Sequence, residues 1–229
     1  MKTKKFFLLK NKSFLRMSMK EMPQWEDGEE FLNSMTHGIA AMFAIIGTYF
    51  LFKKGRKSQN KVFLFSYIIY GISMIVLYGV SFIYHGLPDG SAKKFMRFVD
   101  HCSVFFLIAG SYTPVTLKTL KGRTGTIMCI AVWAISLTGM ISKLFFFDLI
   151  YNYTVFIYVA LGWVVVLGFK TIIKRMPKKG IMWLVLGGVL YTAGTYFYAN
   201  DNIKFYHAIF HVFIALGTLT QFISIYYYA

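Results

Sequence analysis

From Met35 to the end, the chain is a succession of apolar stretches about 18 to 25 residues long, each able to cross a hydrocarbon core as one helix. This feature constrains the fold most, because backbone inside lipid must satisfy its own hydrogen bonds and a helix does so within one segment. The pattern predicts an all-α, polytopic membrane protein, a bundle of seven transmembrane helices with spans at 35–52, 62–85, 95–117, 124–147, 151–173, 181–199 and 203–228. The separators are short and basic: Lys53-Lys54-Gly55-Arg56-Lys57, Lys118 to Arg123, and Lys174 to Gly180. Short connections make sequential helices antiparallel neighbours. Only a weak break around Asp148 and Asn152 parts the fourth span from the fifth. The domain division is a basic interfacial tail over 1–28 and a membrane domain over 29–229.

Composition agrees, with 57% hydrophobic and 15% charged residues, far from an ordinary soluble domain. The net charge of +16 comes from 25 Lys and Arg against 9 Asp and Glu, and the basic residues sit in tails and loops. They read as headgroup contacts and topology signals at a cell membrane. Nucleic acid is disfavoured as a partner, because no loop is long enough to form a basic globular surface. Cys102 and Cys129 fall inside spans and form neither a disulfide framework nor a CxxC motif, so they are packing residues.

The tail mixes Lys2, Lys4, Lys5, Lys10, Lys12, Arg16 and Lys20 with Phe6, Phe7, Leu8, Leu9, Phe14 and Leu15. It reads equally as an interfacial segment or a basic disordered tail, retained in either case. Glu26, Asp27, Glu29 and Glu30 follow, where carboxylates meet the positive end of the first helix dipole. Loops opposite the N-terminus hold 13 basic residues, against 12 on the N-terminal side or 7 when only the nearest part of the tail counts. The narrower count favours an external N-terminus and the full count does not, so the orientation stays open. Gly187-Gly188 and Gly194 suit close helix approach, and Pro114 is expected to kink the third span and free the carbonyl of Gly110.

An ionisable residue within a span is costly and marks a functional site. Here the candidates are His85 at the end of span two, Asp100 near the start of span three, and His207 and His211 near the start of span seven. Even-numbered helices end where odd-numbered ones begin, so all four lie near one membrane face, and His37 and His101 share it. His207 and His211, at i and i+4, present both imidazoles on one side of a helix, and Ser81 and His85 repeat that spacing. Three neutral imidazoles and a water form an open tetrahedral zinc site. Each residue also has a plainer role: interhelical hydrogen bonding for His207 and His211, an interfacial position for His85, packing for Ser81, and pairing with Arg97 for Asp100. His37, His101 and Cys102 read as supporting residues, since His101 and Cys102 point about 100° and 200° away from Asp100 around span three.

The phrases Asn33-Ser34-Met35-Thr36-His37-Gly38, Ser81-Phe82-Ile83-Tyr84-His85, Arg97-Phe98-Val99-Asp100-His101, Ile108-Ala109-Gly110-Ser111-Tyr112-Thr113-Pro114 and His207-Ala208-Ile209-Phe210-His211 resemble the hemolysin III family. That family is the bacterial branch of the progestin and adipoQ receptor superfamily. The resemblance implies seven helices, zinc held by His85, His207 and His211, and Asp100 and Ser81 contacting the bound water or substrate. The superfamily includes alkaline ceramidases, so the implied activity is hydrolysis of a membrane lipid amide or ester. A receptor-like or membrane-homeostasis protein with structural zinc, and a membrane-damaging hemolysin, are the alternatives. One departure stands at Gln221, where family members often place a histidine.

Overall fold

The computed structural model describes residues 25–151 and 153–229, so the tail up to residue 24 lies outside the described residues. Every regular element among them is helical: α1 (Asp27–Lys57), α2 (Lys61–Gly86), α3 (Ser91–Pro114), α4 (Gly122–Tyr151), α5 (Thr154–Gly162), α6 (Phe169–Arg175), α7 (Lys178–Ala199) and α8 (Tyr206–Tyr228). A π-helical segment, Val115–Leu120, continues α3, and a 3₁₀ segment, Trp163–Gly168, joins α5 to α6. Six rods among the described residues are long and apolar enough to cross a membrane: α1, α2, α4, the composite Thr154–Arg175, α7 and α8. The protein is a multi-pass membrane protein.

The remaining long helix, α3, carries Lys93, Lys94, Arg97 and Asp100 near its start, which lowers its apolar character below that of the other six. Its polarity faces inward: Lys93, Arg97 and His101 are buried, while Phe95 is 62% exposed. α3 is thus polar toward its neighbours and apolar outward, a sound arrangement where the surrounding solvent is lipid.

Irregular backbone is covered by side chains. Where α5 tightens into the 3₁₀ segment, the Tyr112 hydroxyl donates to the Gly162 carbonyl at 2.7 Å and accepts from the Val165 N–H at 2.7 Å. One phenol thereby satisfies both backbone groups at the junction. At Pro114 α3 changes helix type and continues as the π segment. Thr113 and Thr116 donate to the carbonyls of Ala109 and Tyr112 on either side of this change. The weak break after span four is real, with Phe146 at φ −137°, ψ 39° and a fresh helical start at Thr154.

Small residues bring the rods together. A Cβ on Gly110 would collide with Ser73 of α2, and one on Gly187 would lie 2.8 Å from the Gln221 side chain of α8. Gly194 likewise admits Phe213, whereas Gly188 meets Trp163 only at ordinary contact distance. Gln221 donates to the Leu184 carbonyl at 3.0 Å, so it serves the α7–α8 seam. Across the core, Thr218 of α8 receives the Tyr78 hydroxyl at 2.5 Å and lies 2.8 Å from that of Tyr191, joining α2, α7 and α8.

Candidate metal centre

The i, i+4 spacing on α8 and the last turn of α2 bring His85, His207 and His211 to one buried point, with one ring nitrogen from each within 4.8 Å of the others. Tetrahedral zinc with bonds of about 2.0–2.1 Å needs ligand nitrogens about 3.3 Å apart, so the cluster lies within a small adjustment of that geometry. The ring centroids are separated by 5.1, 5.0 and 4.6 Å.

Two of the imidazoles are oriented from behind by α1. His85 Nδ1 lies 2.6 Å from Glu30 Oε2, and His211 Nδ1 lies 3.0 Å from the Asn33 carbonyl oxygen and 3.2 Å from Thr36 Oγ1. The Thr36 hydroxyl already donates to the carbonyls of Leu32 and Asn33. A carboxylate and a carbonyl only accept, so both histidines carry their proton on Nδ1 and present the Nε2 lone pair. His85 Nε2 is buried with no hydrogen-bond partner. An unpartnered buried acceptor is costly, and a metal ion resolves that cost, so the donor set fits a cation. Ligating histidines typically rest on such carboxylate and carbonyl partners.

His207 is held differently. Trp25 packs on its ring at 4.3 Å between centroids, and Asp201 Oδ2 stands 3.9 Å from Nδ1, too far for a direct hydrogen bond. Burial holds the Asp201 carboxyl above its ordinary range, although Arg97 draws it the other way. His37 stacks face to face on His211 with ring centroids 3.7 Å apart, both of its nitrogens buried without partners. His101 is not part of the triad and stands edge-on to Phe147 at 5.4 Å.

Ser81 and Asp100 line a cavity of about 390 Å³ that His207 and His211 also line. The Ser81 hydroxyl is close enough to act on the Asp100 carboxyl but forms no hydrogen bond of good geometry with it. Beyond these polar groups the wall becomes apolar, through Leu107, Ile108, Val165, Val166 and Leu184, and it reaches Gln221. From His211 to Gln221 is about 15 Å along a helix, half the thickness of a hydrocarbon core.

The residues from Glu26 to Phe222 match the family model described as Haemolysin-III related. The chain belongs to the haemolysin-III family. It is 34% identical over 200 residues to the Hemolysin-3 homolog of Bacillus subtilis, covering 87% of this chain and 94% of that protein. Identity to Hemolysin-3 of Bacillus cereus is 30%, over 87% of this chain and 91% of the relative. The human Monocyte to macrophage differentiation factor is similar at 27%, over 87% of this chain and 84% of its own length.

Within this haemolysin-III fold, sequence reading brought forward the histidine triad, Ser81 and Asp100. It passed over four contributors. Glu30 holds His85 and, through its other oxygen, Lys93 at 2.6 Å; it had been assigned only to the helix dipole. Asn33 acts through its main chain, Trp25 through a ring 182 positions from the residue it covers, and Lys143 as a fully buried cation 2.9 Å from Thr154 Oγ1. The only available signal was proximity of Glu30, Asn33 and Thr36 at i, i+3 and i+6 on one face of α1.

Proposed function

We propose that the protein is a zinc-dependent hydrolase of a membrane lipid amide or ester, built on seven spans with α3 as the seventh. The observation that carries this reading is the junction of a buried histidine triad, two of its members supported from behind, with an apolar cavity that His207 and His211 line and whose polar end holds Ser81 and Asp100. A purely structural metal needs no such cavity.

His85, His207 and His211 would hold the ion, which when bound supplies Lewis acidity. The remaining chemistry falls to the chain. Asp100 accepts the proton that water gives up during attack on the lipid carbonyl and returns it to the leaving amine or alcohol. Arg97 lies one turn earlier on α3 and lines the same cavity as Asp100. Ser81 donates to the oxyanion that develops on the carbonyl. The apolar cavity receives the acyl chain and keeps bulk water away from the reacting bond.

A structural-zinc reading is favoured by one specific feature, the bonds from Glu30 and Asn33 that tie α1 to His85 and His211. Metal analysis of the purified protein combined with a lipidomic turnover screen separates the two. Asp100→Ala and Ser81→Ala should keep most of the zinc, with turnover falling about 10²- to 10³-fold for Ser81→Ala. A structural site would instead give a parent protein without turnover, and histidine variants losing zinc and thermal stability together. Full zinc occupancy after both His207→Ala and His211→Ala would sink the site assignment.

A further inference from the structure

The opposite end of the bundle has its own chemistry. Residues 53–61, 118–123 and 170–179 hold 13 basic residues and no acidic one, while the acidic residues from Glu26 to Asp201 sit toward the histidine end. Arg175 joins two of these segments by donating to the Leu120 carbonyl, while Lys54 donates to the Tyr226 carbonyl and Lys118 to the Tyr67 hydroxyl at 2.7 Å and to the main-chain oxygen of Ala229, tying the segments to α2 and to the end of α8. Among the described residues, no carboxylate side chain pairs with Lys118, Lys121 or Arg175.

These three cations surround a second cavity, of about 530 Å³, whose wall also includes Phe63, Thr119, Tyr228 and Ala229, the last already accepting from Lys118 through a main-chain oxygen. Thr119 is the informative member. Its side chain is only 5% exposed and its hydroxyl has no hydrogen-bond partner. A buried hydroxyl left unpaired beside three cations lacks an acceptor, and an anion with several oxygens supplies it. Lys121 is held at φ 51°, in the left-handed region, immediately after the π segment, with its ammonium 5.9 Å from the Phe63 ring centre.

We infer that this cavity binds the phosphate group of an anionic phospholipid. Lys121 and Arg175 supply charge from its exposed rim, Lys118 from within, and Thr119 a hydrogen bond from its floor. A lipid suits the site better than free phosphate, because Phe63 and Tyr228 give the cavity an aromatic wall at the helix ends, where headgroup and glycerol lie. The site is independent of the hydrolase reading.

The test uses the full chain in neutral detergent with phosphatidylcholine, titrated with phosphatidylglycerol, with bound lipid read by native mass spectrometry. The protein should retain phosphatidylglycerol in preference to phosphatidylcholine. Lys121→Gln and Arg175→Gln should each weaken that binding about fivefold, at roughly one surface charge's worth of attraction. Thr119→Val should weaken it about two- to fivefold without changing charge. Because Arg175 also caps backbone carbonyls, Arg175→Lys, which keeps the charge, serves as the control and should bind phosphatidylglycerol more tightly than Arg175→Gln. The paired variant Lys53→Gln, Lys57→Gln removes two charges from the same face outside the cavity and should change little. An equal loss in that pair would show diffuse surface attraction and overturn the site. Absence of any headgroup preference, or displacement of the lipid by millimolar inorganic phosphate, would overturn the lipid assignment.

Discussion

The two ends of this bundle treat positive charge in opposite ways. At the histidine end Lys93 is buried, its side chain 7% exposed, and it is matched at 2.6 Å by Glu30, which also holds His85. At the basic end Lys121 and Arg175 remain exposed, and the inward-reaching cations are satisfied by carbonyls, a phenol and aromatic rings. The difference follows the distribution of carboxylates. Lys93 enters the low-dielectric interior with Glu30 as its partner, so α1, which brings that acid, sets where this ion pair lies. The other end keeps Lys121 and Arg175 at the surface, available to a partner from the membrane.

Breaking the buried partnership should produce the largest effect. Glu30→Gln removes one negative charge from between His85 and Lys93, and metal affinity should fall about 10- to 100-fold by isothermal titration, as for loss of a ligand's supporting partner. An unchanged affinity would mean that the histidines are positioned by packing alone. The wall connecting the two ends comes next. Gly110→Ala forces a methyl group against Ser73 at the α2–α3 contact and should destabilise the protein by about 1–3 kcal/mol in a denaturation assay. The smallest effect tests whether burial, rather than location, sets the cost. Lys204 pairs with Glu26 at the histidine end, but both side chains are largely exposed. Lys204→Ala should leave the melting temperature unchanged within error, and a clear drop would contradict that ordering.

Much of this architecture is legible in one dimension because lipid imposes a one-dimensional rule. Five of the six apolar rods lie within three residues of their expected limits, Lys61–Gly86 against 62–85 for example, whereas the first, Gly28–Lys57, runs well beyond the expected 35–52 at both ends. α3 was legible as a helix, but its composition differs from the other six because Lys93, Arg97 and Asp100 serve neighbours that hydropathy does not register. The triad was legible for a topological reason, since alternate helix directions bring His85, His207 and His211 to one end without knowledge of packing. What escaped depends on rotation of one helix about its axis relative to another. Glu30 reaches His85 across 55 positions and the Asn33 carbonyl reaches His211 across 178, the latter with no side-chain signature at all. The stacking of His37 on His211 escaped for the same reason. Trp25 was assigned to the tail, yet its ring covers His207.

The π segment after Pro114 separates the angular settings of the two ends. An α-helix advances about 100° per residue, so in an unbroken α-helix the azimuth of Asp100 would dictate that of Lys118 and Lys121. The wider i→i+5 turns between Val115 and Leu120 take up extra chain and release that coupling. Removal of one residue between Val115 and Leu120 would return the segment toward α-helical phase. Residues beyond the segment would then keep roughly their present bearing, because α-helical turns rotate more per residue than the π turns they replace, and Arg97 and Asp100 would keep theirs. Chain length at this single point can therefore change by one residue, in evolution or by design, without re-aiming either end of the molecule.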